Sequence, residues 1–219
     1  MKIITELRRE HDLIDRVAGA MRTWISRAAR GDAPPDDGRN FVRFLEVYAG
    51  GLHHDREETV LFPAVRIQQE LRADTAPISV TVETHHELAA ILDSMKSLLA
   101  KPEPSPNDMA ELEQFAVRYT RLLWHHIDAE NSVLFPEIEN RLKRAGIHEL
   151  PVRSLTAEEE QGATIGLELV RRYPPSDDPE IVRGEGCAMC PAYMAACRGI
   201  EREWWNEWEW EELKGRVTA

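Results

Sequence analysis

The sequence predicts an all-α chain: an antiparallel four-helix bundle over residues 1–146, followed by a helical extension over residues 147–219. Apolar residues recur every three or four positions through four long segments, the rhythm of helices that each bury one stripe. Clusters of Pro, Gly and Asp separate those segments. Within the second and fourth segments one eleven-residue phrase is written twice, as His53-His54-Asp55-Arg56-Glu57-Glu58-Thr59-Val60-Leu61-Phe62-Pro63 and as His126-Ile127-Asp128-Ala129-Glu130-Asn131-Ser132-Val133-Leu134-Phe135-Pro136.

The first helix is expected from about Ile3 to Arg30, with Ile4, Leu7, His11, Ile14, Ala18, Met21 and Ile25 as its seam. The run from Gly31 to Gly38 breaks it. The second is expected from about Arg39 to Leu71, with Val42, Leu45, Ala49, His53, Glu57, Val60 and Ala64 on one face; Gly50-Gly51 and Pro63 mark local bends. After a break at Asp74 to Pro77, the third runs from about Ile78 to Lys101 on a seam of Ile78, Thr81, His85, Leu88, Leu92, Met95 and Leu99, a phase that favours His85 over His86. Ser105 and Pro106 read as N-cap and first residue of the fourth helix, which continues from Asn107 to Ala145 and stops at Gly146. Its seam includes Leu112, Tyr119, His126 and Val133. Ser154 to Glu159 is a helix-start signature, so a fifth helix is expected over about Ala157 to Arg172.

Bulk properties exclude some roles. The 219 residues carry 27 Lys+Arg against 39 Asp+Glu, a formal net charge of −12. That balance argues against a nucleic-acid partner or an anionic membrane surface. Charges enter too early at the N-terminus for a signal peptide, and no apolar run reaches the roughly 20 residues of a membrane span. Three Cys confined to one short stretch do not form a secreted disulfide framework. The expected location is cytoplasmic.

The chemistry lies in the inward polar residues: His11, His53, Glu57, His85, His126 and Glu130. A His and a Glu four residues apart share a helix face, about 6 Å apart along the axis, and can hold one metal ion together. Four imidazoles and two carboxylates on four seams suit iron, manganese or zinc. Without a metal, burying them would strand donors and charges. His54, His86 and His125 sit beside the chosen residues, about 100° away on a regular helix, and read as hydrogen-bonding groups at the bundle edge. Glu83-x-x-His86 has the spacing of ferritin-like carboxylate sites, but it occurs once where such sites need it twice. His148 reads as solvated.

With these residues the chain resembles the hemerythrin-like family, the HHE cation-binding domain. That pattern has a His early in helix one, His-x3-Glu before Leu-Phe-Pro in helix two, a His in helix three, and a second His-x3-Glu before Leu-Phe-Pro in helix four. The resemblance covers about residues 3 to 145. It implies two Fe ions in a non-haem, oxo- or hydroxo-bridged site. His11, His53, Glu57, His85, His126 and Glu130 would be the ligands, with Glu57 and Glu130 the bridges. The chain departs from oxygen-carrying hemerythrins in two places. Those have two His one turn apart on the third helix, whereas here Thr81 and Ala89 flank His85. Their last carboxylate is an Asp five residues after the fourth-helix His; here Glu130 follows His126 by four, and Asn131 comes next. One fewer imidazole leaves a coordination position open, which favours reactivity over carriage.

The tail carries a second feature. Cys187-x2-Cys190 followed by Cys197 could hold a further metal, an iron–sulfur cluster or a redox dithiol, although three thiols fall one short of a closed set. Trp204, Trp205, Trp208 and Trp210 lie among glutamates and could pack on the bundle or face a protein partner or a second copy.

The function expected from these readings is a di-iron protein that binds or reacts with O2, NO or peroxide in sensing, scavenging or repair, with an oxidoreductase activity left open. The alternative is a non-catalytic, iron-responsive regulatory module.

Overall fold

A computed structural model of the chain describes residues 1–69, 78–181 and 183; the break at Asp74 to Pro77, the three Cys and the tail Trp residues lie outside them. Every element among the described residues is helical. Helix α1 spans Lys2–Ala28. Helix α2 covers residues 36–69 without interruption, as α-helix Asp36–Phe44, π-helix Leu45–His54, π-helix Glu57–Leu61 and α-helix Phe62–Gln69, with one α-helical pair between the π segments. Helix α3 is Ile78–Leu99. Helix α4 covers residues 106–144 as α-helix Pro106–Ala129, π-helix Glu130–Leu134 and α-helix Phe135–Arg144. Helix α5 is Ala157–Arg172. None of these helices is long and apolar enough to cross a membrane.

Helices α1 to α4 form the expected bundle: α1 packs on α2 and α4, and α3 packs on α2 and α4. Helix α5 lies on α1 and α2. Ser105 caps α4 with its side chain on the Asp108 N–H, and Asp108 returns the bond to Ser105. Thr156 and Glu159 form the same reciprocal box at the start of α5. Gly146 ends α4 at φ 80°, a conformation that only glycine adopts without strain.

Helix α2 starts inside the run from Gly31 to Gly38 that composition marks as a break. Gly38 acts there as a contact residue rather than a breaker: a Cβ on it would stand 2.5 Å from Trp24 Cη2 and 2.7 Å from Leu99 Cδ2.

Seams on α1 and α3 are buried as expected, from Ile4 to Ile25 and from Ile78 to Leu99. On α2 and α4 the seam slips by one residue after the repeated Glu. Leu61 and Val65 are buried in place of Val60 and Ala64, and Leu134 in place of Val133. The cause is a wider turn at both places. The Phe62 N–H bonds to the Glu57 carbonyl and the Phe135 N–H to the Glu130 carbonyl, five residues back rather than four. Each wide turn precedes a proline, Pro63 or Pro136, whose ring would collide with the carbonyl four residues earlier in a regular helix. The side chains of Thr59 and Ser132, at equivalent positions, bond back to the carbonyls of Asp55 and Asp128 at 2.7 and 2.5 Å.

Two apolar clusters fill the bundle. The larger is built on residues such as Ile14, Met21, Phe44, Leu92 and Tyr119. The smaller joins Ile4 and Leu7 to Phe62, Phe135 and Ile138. The buried polar residues described next belong to neither cluster.

Candidate metal centre

His11, His53, Glu57, His85, His126 and Glu130 meet in the interior, all 4% exposed or less. Helix α1 brings His11, α2 brings His53 and Glu57 one turn apart, α3 brings His85, and α4 brings His126 and Glu130. Ring nitrogens and carboxylate oxygens fall into two overlapping sets, each within 4.8 Å. One set is His11, His53, Glu57 and Glu130; the other is His85, His126, Glu57 and Glu130. The two glutamates are common to both.

Each carboxylate spans the two sets. Glu57 places Oε1 3.5 Å from His53 Nε2 and Oε2 3.4 Å from His85 Nε2. Glu130 places Oε2 3.1 Å from His11 Nε2 and Oε1 3.2 Å from His126 Nε2. These approaches are close, yet all four oxygens, with His11 Nε2 and His53 Nε2, are buried without a hydrogen bond of sound geometry. Unpaired buried polar atoms are costly, so a cluster of them facing inward calls for a cation between them. The Nε2 atoms of His85 and His126 also face each other at 3.1 Å.

Three of the four outward ring nitrogens have partners; His126 Nδ1 is buried without one. His11 Nδ1 lies 3.0 Å from Asn131 Oδ1, His53 Nδ1 3.1 Å from Glu10 Oε2, and His85 Nδ1 2.7 Å from Glu58 Oε1. An N–H donated outward at Nδ1 leaves the Nε2 lone pair aimed inward, the tautomer a metal ligand needs. Glu10, Glu58 and Asn131 are the residues that helical phase did not single out. Glu58 and Asn131 each follow a cage glutamate directly, and Glu10 precedes His11, so adjacency is the signal that could have found them.

The charge state of these six residues is uneven. Burial holds His53 and His126 well below the ordinary histidine range; the neighbouring imidazoles add to it at His53, and at His126 burial outweighs the opposing charge of Glu130. Burial opposes charge on His85 as well, but the carboxylates of Glu57 and Glu58 outweigh it and bring it up to about 9. Burial and then the charge of Glu130 raise Glu57, whereas burial of Glu130 is outweighed by His126 and His11, which hold it lower. Two buried carboxylates cannot both ionise cheaply without positive charge between them. Two divalent cations would supply it.

Of the remaining histidines, His86 and His148 are exposed and His125 is half-buried. Glu83 is also exposed, so the Glu83-x-x-His86 spacing points to solvent. His54 departs from its expected place at the bundle edge. It is buried, because the π-helix Leu45–His54 turns both members of the His53-His54 pair inward. The three Cys lie outside the described residues.

Residues 2–138 match the family described as Hemerythrin HHE cation binding domain. Among curated proteins, iron–sulfur cluster repair protein YtfE of Salmonella paratyphi B, Salmonella newport and Salmonella dublin are each 29% identical over 131 residues. That alignment takes in 56% of this chain and 59% of each relative, so the chain spans little more than half the length of the proteins it matches. No solved structure matches the chain.

Proposed function

The chain belongs to the hemerythrin HHE cation-binding domain family, and we propose that it holds two iron ions and binds or reacts with a small ligand such as O2, NO or peroxide, in sensing, scavenging or repair. One observation carries this reading: Glu57 and Glu130 each reach an imidazole of both sets, with all four oxygens unpaired and buried. That is the disposition of two carboxylates that bridge a pair of ions in a helical bundle. Iron is favoured over other divalent metals by the repair protein relatives, whose name ties them to iron–sulfur clusters. When bound, the pair would supply electrons to, and a coordination position for, the small ligand.

The protein's own groups set the conditions. His11 and His53 would hold one ion, His85 and His126 the other, and Glu57 and Glu130 both. Asn131, Glu10 and Glu58 fix ring tautomers. The apolar cluster with Phe62 and Phe135 excludes water from one end, and the Phe135 ring stacks on His11 at 5.4 Å. The extension from residue 147 acts with the bundle in a cytoplasmic protein, and its Cys cluster is a further metal or redox candidate.

Iron content by mass spectrometry and Mössbauer spectra of the reduced chain, before and after exposure to NO, O2 and peroxide, test this reading. Two ions per chain and a changed spectrum are expected. A di-ferrous chain that responds to none of the three would overturn the ligand reading. A second reading, an iron-responsive regulatory module, is favoured by the link from the cage to residues beyond the bundle: Arg56 Nη2 donates to the Arg153 carbonyl at 2.8 Å. It requires that removing iron change helicity or partner binding.

A further inference from the structure

The six-residue cage leaves one buried imidazole without a role. His54 is 8% exposed, and its Nε2 is buried with no hydrogen-bond partner. A histidine kept in that state gives up the hydrogen bonds that water would supply, so a core that merely needed filling would be better served by an apolar side chain. The ring is not at the rim. It lies flat against His85, with centroids 3.7 Å apart and planes 9° apart, and edge-on to His126 at 5.8 Å. A ring nitrogen from each of His54, His85 and His126 lies within 4.8 Å of the other two, and all three residues are buried.

Backbone geometry explains how α2 delivers two adjacent imidazoles to one interior. On a regular α-helix, neighbours diverge by about 100°, and His54 would leave the seam that holds His53. The ten-residue π segment Leu45–His54 widens the turn, and the Asp55 N–H bonds back to the Gly50 carbonyl. Widened turns of this kind concentrate at functional sites because they cost helix stability.

We propose that His54 is a third imidazole donor for the ion held by His85 and His126. This rests on the two-iron reading above and deepens it. The pair is then unequal: His11 and His53 serve one ion, and His54, His85 and His126 serve the other, with Glu57 and Glu130 shared. The fifth imidazole that α3 cannot supply, having Thr81 and Ala89 around His85, comes from α2 instead.

The test compares the wild-type chain with His54→Ala, using His125→Ala, a half-buried histidine outside the cage, as control. Iron stoichiometry and affinity are read by chelator competition, the two iron environments by Mössbauer spectroscopy, and helicity of the metal-free chains by circular dichroism. For His54→Ala, one of the two ions is expected to weaken by roughly 10–100-fold or more, one Mössbauer doublet to shift and the other to stay, while His125→Ala matches wild type. A wild-type chain that holds fewer than two ions overturns the pair and this inference with it. A wild-type chain with two ions, and a His54→Ala chain with unchanged affinity and doublets, overturns His54 alone. Because His54→Ala could lose its fold, the cobalt(II)-loaded wild-type chain gives an independent reading. Paramagnetically shifted, exchangeable ring N–H signals are expected from His11, His53, His54, His85 and His126, and absence of the His54 signal overturns the proposal.

Discussion

Glu10 stands between the candidate metal centre and the chain beyond the bundle. Its Oε2 lies 3.1 Å from His53 Nδ1, while Oε1 pairs with Arg56, whose Nη2 donates to the Arg153 carbonyl at 2.8 Å. Glu10 and Arg56 are both buried. The relay ties the segment that leads into α5 to the orientation of a cage histidine. Glu10→Ala should therefore weaken iron binding by roughly 10–100-fold, as loss of an outer partner does. Chelator competition measures it, and affinity equal to wild type would remove Glu10 from the site. Arg56→Ala should cost about 3 kcal/mol in chemical unfolding, the low end for a broken buried pair. Burial, against the pull of Arg56, already raises Glu10 to about 7, so it can take up a proton in place of a bare charge.

The shared carboxylates give the most direct test of two-ion binding. Glu57→Ala or Glu130→Ala removes an oxygen from both sets at once, since each glutamate reaches an imidazole on either side. Both variants should fall below two iron ions per chain by mass spectrometry. Wild-type stoichiometry in both would refute the bridging assignment.

Most of the bundle was legible because α1 and α3 keep one period throughout. Every seam residue from Ile4 to Ile25, and from Ile78 to Leu99, is buried as that period requires. The same period failed on α2 and α4 after Glu57 and Glu130, where a π turn adds a residue and moves burial from Val60 to Leu61 and from Val133 to Leu134. A fixed period cannot register an inserted residue. The prolines at 63 and 136 were the available sign, and they imply a wider turn as readily as a bend. His54 was misplaced for the same reason, since a 100° step between neighbours does not hold in the π segment. Glu10 and Arg56 escaped because charged residues off the seam read as solvated until a partner appears. The four seams and the twofold phrase sufficed to bring His11, His53, Glu57, His85, His126 and Glu130 together, because side chains that meet in the interior must lie on the buried stripe.

Helix α5 contains an acid-sensitive fastening. Glu159 accepts from Arg153 at 2.6 and 2.7 Å and from the Thr156 N–H at 2.7 Å, and Arg153, first among these, holds its carboxyl down to about 2. A carboxyl lowered by folding stabilises the fold above its ordinary value of 4.5, and that contribution is lost as pH falls from there towards about 2. Because Arg153 is 42% exposed, water screens the pair, and the contribution is about 1 kcal/mol. Wild type should exceed Glu159→Gln by that amount near neutrality, with the two unfolding curves converging across the stated window. A difference that persists below it would point to packing of the side chain rather than its charge.

Two buried glycines one turn apart on α5 should answer the same substitution with opposite signs. A Cβ on Gly162 would meet Val47 Cγ1 at 3.4 Å, ordinary contact, so Gly162→Ala should gain part of the roughly 1 kcal/mol by which alanine favours a helix. A Cβ on Gly166 would stand 2.5 Å from Phe44 Cε2 and 2.7 Å from Cδ2, with Val17 Cγ2 at 3.2 Å. Phe44 is fully buried and stacked on Tyr48 at 5.2 Å, so its ring has no room to move away. Gly166→Ala should therefore lose about 1–3 kcal/mol despite the better helix former. Both effects are read as thermal midpoints of the metal-free chain. Iron content should stay at the wild-type level in each, because Phe44 and Val47 stand more than one turn before His53 on α2. Equal midpoints for the two variants would mean that α5 does not seat on Phe44 as described.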